Sequence, residues 1–106
     1  MKEFEMMKVL DAIAWSAAGG QALHLMNHSG GLYSYRERVP ECFKRTKTFG
    51  HLFDQDEERL EATARRLGVR RVVVAKRGTK RQHVDLCGRP LERAMVEARW
   101  QAGGDP

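Results

Sequence analysis

Apolar positions recur at spacings of three and four from residue 3 to residue 18. Phe4, Met7, Leu10, Ile13, Ala14 and Ala17 line up there as one stripe of an amphipathic helix, which Gly19-Gly20 ends. The short run Gln21 to Met26 alternates weakly and reads as a strand. Asn27-His28-Ser29-Gly30-Gly31 is a cluster of turn formers, and Tyr33 and Tyr35 alternate with Leu32 and Ser34 beyond it, so a hairpin is expected. Pro40, which lacks a backbone donor, places residues 36 to 48 in a loop or at a sheet edge.

The stretch from 51 to 86 is the most strongly patterned. Its helix is predicted to start close to His51, with Asp54 as N-cap, Glu57 completing an acidic capping box, and Asp56, Glu57 and Glu58 at the positive end of the helix dipole. Leu60, Ala64 and Leu67 form its buried stripe, Arg65 and Arg66 its last turn, and Gly68 its left-handed C-cap. Val69 to Ala75 holds three consecutive valines, as suits a strand covered on both faces. Lys76 to Gln82 is a basic turn around Gly78, and His83 to Leu86 a short strand pairing back against 69–75. Arg89-Pro90 opens a last helix with Leu91, Ala94, Met95 and Ala98 on its buried stripe, and the end from Ala102 to Pro106 is expected to fray.

These elements predict one domain over 1–106. The expected fold class is α/β, with α+β as the alternative: a short mixed sheet of three or four strands packed by about three helices. A length of 106 residues, with 42% hydrophobic and 31% charged residues, fits a folded chain with a modest core. So small a core gains from a partner surface, and a homo-oligomer is expected. Cys42 and Cys87 stand 45 positions apart in a chain without a convincing secretory signal, so they are expected as free thiols in a cytoplasmic protein. The apolar stretch after Lys8 is broken by Asp11, the glycine pair and His24 and is too polar to span a bilayer. Met6 and Met7 leave room for an internal translation start.

Charge changes the picture more than composition does. A net charge of +5 and a pI near 9.6 favour anionic partners. Arg70, Arg71, Lys76, Arg77, Lys80 and Arg81 crowd a segment with no acidic residue between 69 and 82, and are the candidate ligand-binding set. The alternative is a solvated turn that keeps a sheet edge from pairing. Arg36, Arg38, Lys44, Arg45 and Lys47, interleaved with Tyr33, Tyr35 and Phe43, would extend that face. His51, His83 and Asp85 are the candidate catalytic or metal-ligating trio, since imidazole and carboxylate bind metals and move protons near neutral pH. Its plainer reading is that Asp85 orients His83 and that His51 bonds backbone. The glycine cluster at 30–31 lacks the Lys-Ser/Thr ending of a phosphate-binding loop and reads as a turn. Trp15 and Trp100 are expected to pack, Trp100 with a subunit contact as its alternative.

From Gly50 to about Ala98 the chain resembles domain-of-unknown-function family 4031, a group of small bacterial and phage proteins. The features that carry the likeness are His51-Leu52, Asp54 and Asp56, Leu67-Gly68, Val72 to Ala75, His83-Val84-Asp85-Leu86 and Arg89 to Arg93. Val84 stands where that family has tyrosine. The resemblance implies an α/β fold and a phage or mobile-element origin, and lends no reaction. Three function classes follow from the sequence. The first is a binding protein for a phosphate-bearing ligand, nucleotide or nucleic acid, which needs neither turnover nor a cofactor. The second is a metal-dependent phosphoesterase or nuclease using His51, His83 and Asp85 with a divalent metal. The third is a protein-interaction module that inhibits a host factor.

Overall fold

A computed structural model of the chain describes residues 1–27, Cys42 and residues 48–103. Among these residues four strands form one mixed sheet in sequence order: β1 (Lys2–Phe4), β2 (Gln21–Asn27), β3 (Thr48–Asp54) and β4 (His83–Leu86). β1 runs parallel to β2, while β3 pairs antiparallel with both β2 and β4. Among the described residues three helices pack on it: α1 (Val9–Ala17), α2 (Glu57–Arg66) and α3 (Gly88–Gly103). The expected α/β architecture is therefore the one observed.

Alternation divides the sheet into two faces. On one face Leu23, Leu52, Val84 and Leu86 are buried against Leu60, Ala64 and Leu67 of the α2 segment and Leu91, Ala94 and Ala98 of α3. On the other, Ala22 and Phe53 pack with Ala12 and Ile13 of α1 and with Phe4 and Val9. The pairing rows His24↔His51 and His51↔Asp85 run across this second face, and His83↔Phe53 lies one step along the same strands. Helix α1 thus covers the β1–β2 side of a face whose β3–β4 side carries histidines.

Several expectations are corrected. The N-terminal helix begins at Val9 rather than residue 3, because Lys2–Phe4 is a strand and Met6–Lys8 a single 3₁₀ turn. Its buried stripe is Ala12, Ile13 and Ser16 with Val9 half-buried, so of the expected helical stripe Ile13 is buried while Ala14 and Ala17 face outward. Leu10 and Met7 are exposed. Ser16 can occupy a buried stripe position because its hydroxyl donates to the Ile13 carbonyl. His51 lies inside β3, not at a helix start. Asp54 is the buried end of that strand, and the N-cap is Asp56, whose carboxylate accepts from the Arg59 amide. The valine run is not a strand: it touches the sheet through a single Ala75↔His83 bridge, Val72 and Val74 lean on the core, and Val73 is exposed. β4 pairs with β3 in its place.

Asp54 explains why β3, α2 and the start of β2 meet as they do. The Arg59 guanidinium grips its carboxylate with two bonds of 2.7 Å, the Asp56 amide and the Gln21 side chain add one each at 2.9 Å, and Arg59 reaches on to the Gly19 carbonyl at 3.0 Å. A fully buried carboxylate is stable there because its oxygens are satisfied. Gly68 takes φ +104°, as its C-cap role requires, and a Cβ there would come within 2.9 Å of the Arg93 guanidinium. Trp15 packs as expected, against the Phe4 ring and under the Lys2 ammonium, although it is 43% exposed, while Trp100 is 59% exposed.

Cys42 and Cys87 are joined as a disulfide, with a Cα–Cα separation of 6.3 Å, which corrects the expectation of free thiols. The fold brings the end of β4 to Cys42, a proximity invisible to sequence spacing. No helix among the described residues is long and apolar enough to cross a membrane. The expected turn at 28–31, the strand at 33–35 and the basic residues from Arg36 to Lys47 lie outside the described residues.

Candidate functional site

Each member of the trio owes its position to strand alternation. His51 sits at the middle of β3, His83 and Asp85 two residues apart on β4, and the register sets His51 directly opposite Asp85. Three side chains therefore project from one face within reach of each other. Asp85 Oδ1 stands 3.5 Å from His51 Nε2 and 3.3 Å from His83 Nε2, and one ligand atom from each residue falls within 4.8 Å of the other two. The imidazoles are mostly covered, at 19% and 14% side-chain exposure, while Asp85 at 44% faces outward. The trio is a half-closed recess with one open side.

A third histidine completes the arrangement. His24, fully buried on β2, stacks on His51 with ring centroids 5.5 Å apart, its Nε2 lying 2.9 Å from the Met6 carbonyl and its Nδ1 3.3 Å from His51 Nδ1. A carbonyl can only accept, so Nε2 of a neutral His24 carries the proton and its Nδ1 is left as an acceptor. His51 Nδ1 must then donate. Its Nε2, facing Asp85, keeps a bare lone pair. His83 follows the same logic, because Nδ1 lies 2.6 Å from the Arg81 carbonyl and donates to it, leaving Nε2 unprotonated toward Asp85. With both imidazoles neutral, two nitrogen lone pairs and a carboxylate oxygen converge with no hydrogen between them.

Such a convergence is repulsive unless a cation sits in it. Burial pushes the His51 imidazolium down to about 4; the Asp85 charge opposes that shift, while His83 and His24 reinforce it. Burial also disfavours charged His83, but hydrogen bonds to Asp85 and the Arg81 carbonyl, with the Asp85 charge, outweigh it and leave its pKa raised. A proton on His83 is one way to fill the gap. A metal ion is the other: atoms bound at about 2.05 Å around a tetrahedral ion stand roughly 3.3 Å apart, close to the spacing of the carboxylate to each imidazole, whereas the three ligand atoms together span up to 4.8 Å, so the two rings would have to draw in on the ion. Phe49 and Phe53 pack their rings on His51 at 5.3 and 5.6 Å and hold it in a largely apolar wall.

The six basic candidates are not one surface. Lys76, Arg77, Lys80 and Arg81 are exposed on the turn leading into β4, Arg77 paired with Glu57 at 3.0 Å. That turn is firmly built: the Gly78 amide donates to the Gln82 side chain, the Gln82 amide group donates to the Asp54 carbonyl, and the Thr79 hydroxyl donates to the Lys76 carbonyl. Lys76 is close enough to lower the His83 pKa. Arg70, by contrast, lines a cleft with Arg65, Arg89 and Arg93 at the junction of α2 and α3. Arg71 is exposed and lines neither that cleft nor the turn.

Sequence reasoning missed His24, whose signal was a histidine in phase with Ala22 and Met26 on an otherwise apolar strand. It also missed Arg65, Arg89 and Arg93 as partners of Arg70, a grouping made only by the tertiary fold. No family model, curated protein or solved structure matches the chain.

Proposed function

We propose that this protein binds a divalent transition-metal ion through His51 Nε2, His83 Nε2 and Asp85, and uses that ion with the cations of the 76–81 turn to hold a phosphate-bearing ligand. The observation that carries the reading is the convergence of three lone-pair donors whose imidazole tautomers are set from behind, His83 by the Arg81 carbonyl and His51 through His24 by the Met6 carbonyl. Two imidazoles and one carboxylate suit zinc and its first-row neighbours better than magnesium or calcium. Lys76 and Arg81, beside His83 in the chain or in space, supply the positive surroundings that a phosphate needs.

Three protein ligands leave a coordination position for water, and the exposed side of Asp85 gives access to it. That arrangement favours hydrolysis of a phosphoester as the reaction such a site supports, with the metal lowering the pKa of bound water. Cobalt(II) titration followed by visible absorption tests the first step. One ion per chain is expected in the native protein and none in His83→Ala or Asp85→Ala. Bis(p-nitrophenyl) phosphate turnover, measured with and without the ion, tests the second. A native protein that binds neither cobalt nor zinc overturns the whole reading; metal binding without turnover leaves the binding function and removes the hydrolytic one.

A further inference from the structure

The arginines divide by partner. Arg59, Arg66, Arg77 and Arg99 each sit on a carboxylate, those of Asp54, Glu97, Glu57 and Glu3. Six described arginines, Arg65, Arg70, Arg71, Arg81, Arg89 and Arg93, have no carboxylate within ion-pair distance among the described residues, and four of these, Arg65, Arg70, Arg89 and Arg93, gather around one cleft. The cleft has a volume of about 630 Å³, a floor of Leu67, Gly68, Val69 and Pro90, and no acidic residue in its lining. Among the described residues, only Arg93 of the four has an internal partner, donating to the Leu67 carbonyl at the end of α2 at 3.3 Å.

A structural role accounts for part of this. Arg93 satisfies a helix-terminal carbonyl, and Arg65 in the last turn of α2 suits the negative end of that helix. It does not account for Arg70 and Arg89. These reach the same cleft from the segment after α2 and from the first turn of α3, adding charge where charge already stands. Gathering four guanidiniums without a counter-charge is unfavourable in the free protein, and an oxyanion relieves it. Guanidinium forks match the geometry of phosphate oxygens, the floor is apolar, and the volume falls in the range of roughly 300–1,000 Å³ common to small-molecule sites.

We infer that the cleft between the end of α2 and the start of α3 is a phosphate-binding site in its own right, formed by Arg65, Arg70, Arg89 and Arg93. It lies by the helices that cover one face of the sheet, whereas His51, His83 and Asp85 project from the other, so it does not depend on the metal reading. Its ligand carries a phosphate group, either free, as in a polyphosphate or nucleotide, or in the backbone of a nucleic acid.

Calorimetric titration with inorganic pyrophosphate and with a single-stranded oligodeoxynucleotide, at about 50 mM salt where phosphate contacts are strong, separates these sources. Native protein is expected to bind at least one of the two probes, and Arg70→Ala/Arg89→Ala to weaken that binding tenfold or more. Lys8→Ala, which removes an exposed cation beside α1, is expected to leave pyrophosphate affinity within twofold, and prior removal of metal ions by dialysis to leave it unchanged. Pyrophosphate binding places a free phosphate ligand in the cleft; oligonucleotide binding alone makes it a backbone contact. The arginine side-chain N–H signals of the native protein give a second readout that needs no variant. Absence of binding by either probe, undiminished affinity in Arg70→Ala/Arg89→Ala, or arginine signals that stay still on addition of both probes overturns the inference.

Discussion

At the scale of single residues, the site is governed by where the ring protons of three histidines can go. Met6 and Arg81 contribute carbonyls, His24 passes one constraint on to His51, and two ring nitrogens are left bare beside Asp85. Opposite pKa shifts follow in the metal-free protein. His51 is expected to titrate near pH 4 and His83 above 6.5, which the Cε1 proton shifts in an NMR titration will report. Their stability effects have opposite signs. Between pH 6.5 and 4 the unfolded chain protonates His51 and the folded chain resists, so stability falls as the pH drops through that window, by on the order of 3 kcal/mol for His51 alone. His83 stabilises the fold below its unfolded value and loses that contribution as pH rises through its raised one. A His51→Gln variant should therefore flatten the loss seen in urea melts between pH 6.5 and 4. His24 never reaches the recess, yet His24→Phe removes the acceptor that fixes His51; metal affinity is expected to drop roughly 10- to 100-fold while β2 still forms. An unchanged cobalt affinity in that variant excludes the relay.

At the scale of elements, Asp54 and Asp56 perform two jobs that look interchangeable in the sequence. Asp56 caps α2 by accepting from one amide, and Asp56→Ala is expected to cost about 1 kcal/mol. Asp54 is wholly buried and gathers Arg59, Gln21 and the Asp56 amide; Asp54→Ala strands the Arg59 head and the polar groups around it, at about 3 kcal/mol or more. Thermal melts of the two variants side by side test that ranking. The pair also shows what was legible. The body of α2, its stop at Gly68 and the helical stripe of α3 follow local rules of spacing and capping, and the sequence displays them directly. β3 was hidden because its inward positions include His51 and Asp54, polar residues that only a tertiary partner makes tolerable. The valine run misled for the converse reason: apolar content marks burial, and Val72 and Val74 are packed on the core without taking a place in the ladder. Of the candidate chemistry, His83 and Asp85 could be joined by their spacing of two. The facing of His51 by Asp85 depends on register, and the separation of Arg70 from the turn depends on where α3 begins.

At the scale of the whole molecule, one sheet carries a recess on one face and helices with an arginine cleft on the other, and a single covalent link closes the long connection between its parts. Cys42 to Cys87 spans a loop that contains β3, α2, the basic turn and β4, and so His51, His83 and Asp85 alike. Closing a loop of that length removes unfolded-state entropy worth up to about 4 kcal/mol by the chain-entropy rule. The β3–β4 ladder that brings His51 to Asp85, however, is held by its own backbone bonds and by a core of Leu52, Val84 and Leu86 packed against α2 and α3. Stability and metal affinity should therefore respond differently to reduction. With dithiothreitol present, or in a Cys42→Ser/Cys87→Ser variant, the denaturation midpoint is expected to fall by the equivalent of a few kcal/mol. Cobalt affinity measured well below that midpoint is expected to stay within tenfold of the oxidised protein. A midpoint that ignores reduction means the link does not form in solution. A midpoint that falls together with a collapse of cobalt affinity means that the cystine, rather than the ladder, aligns the trio.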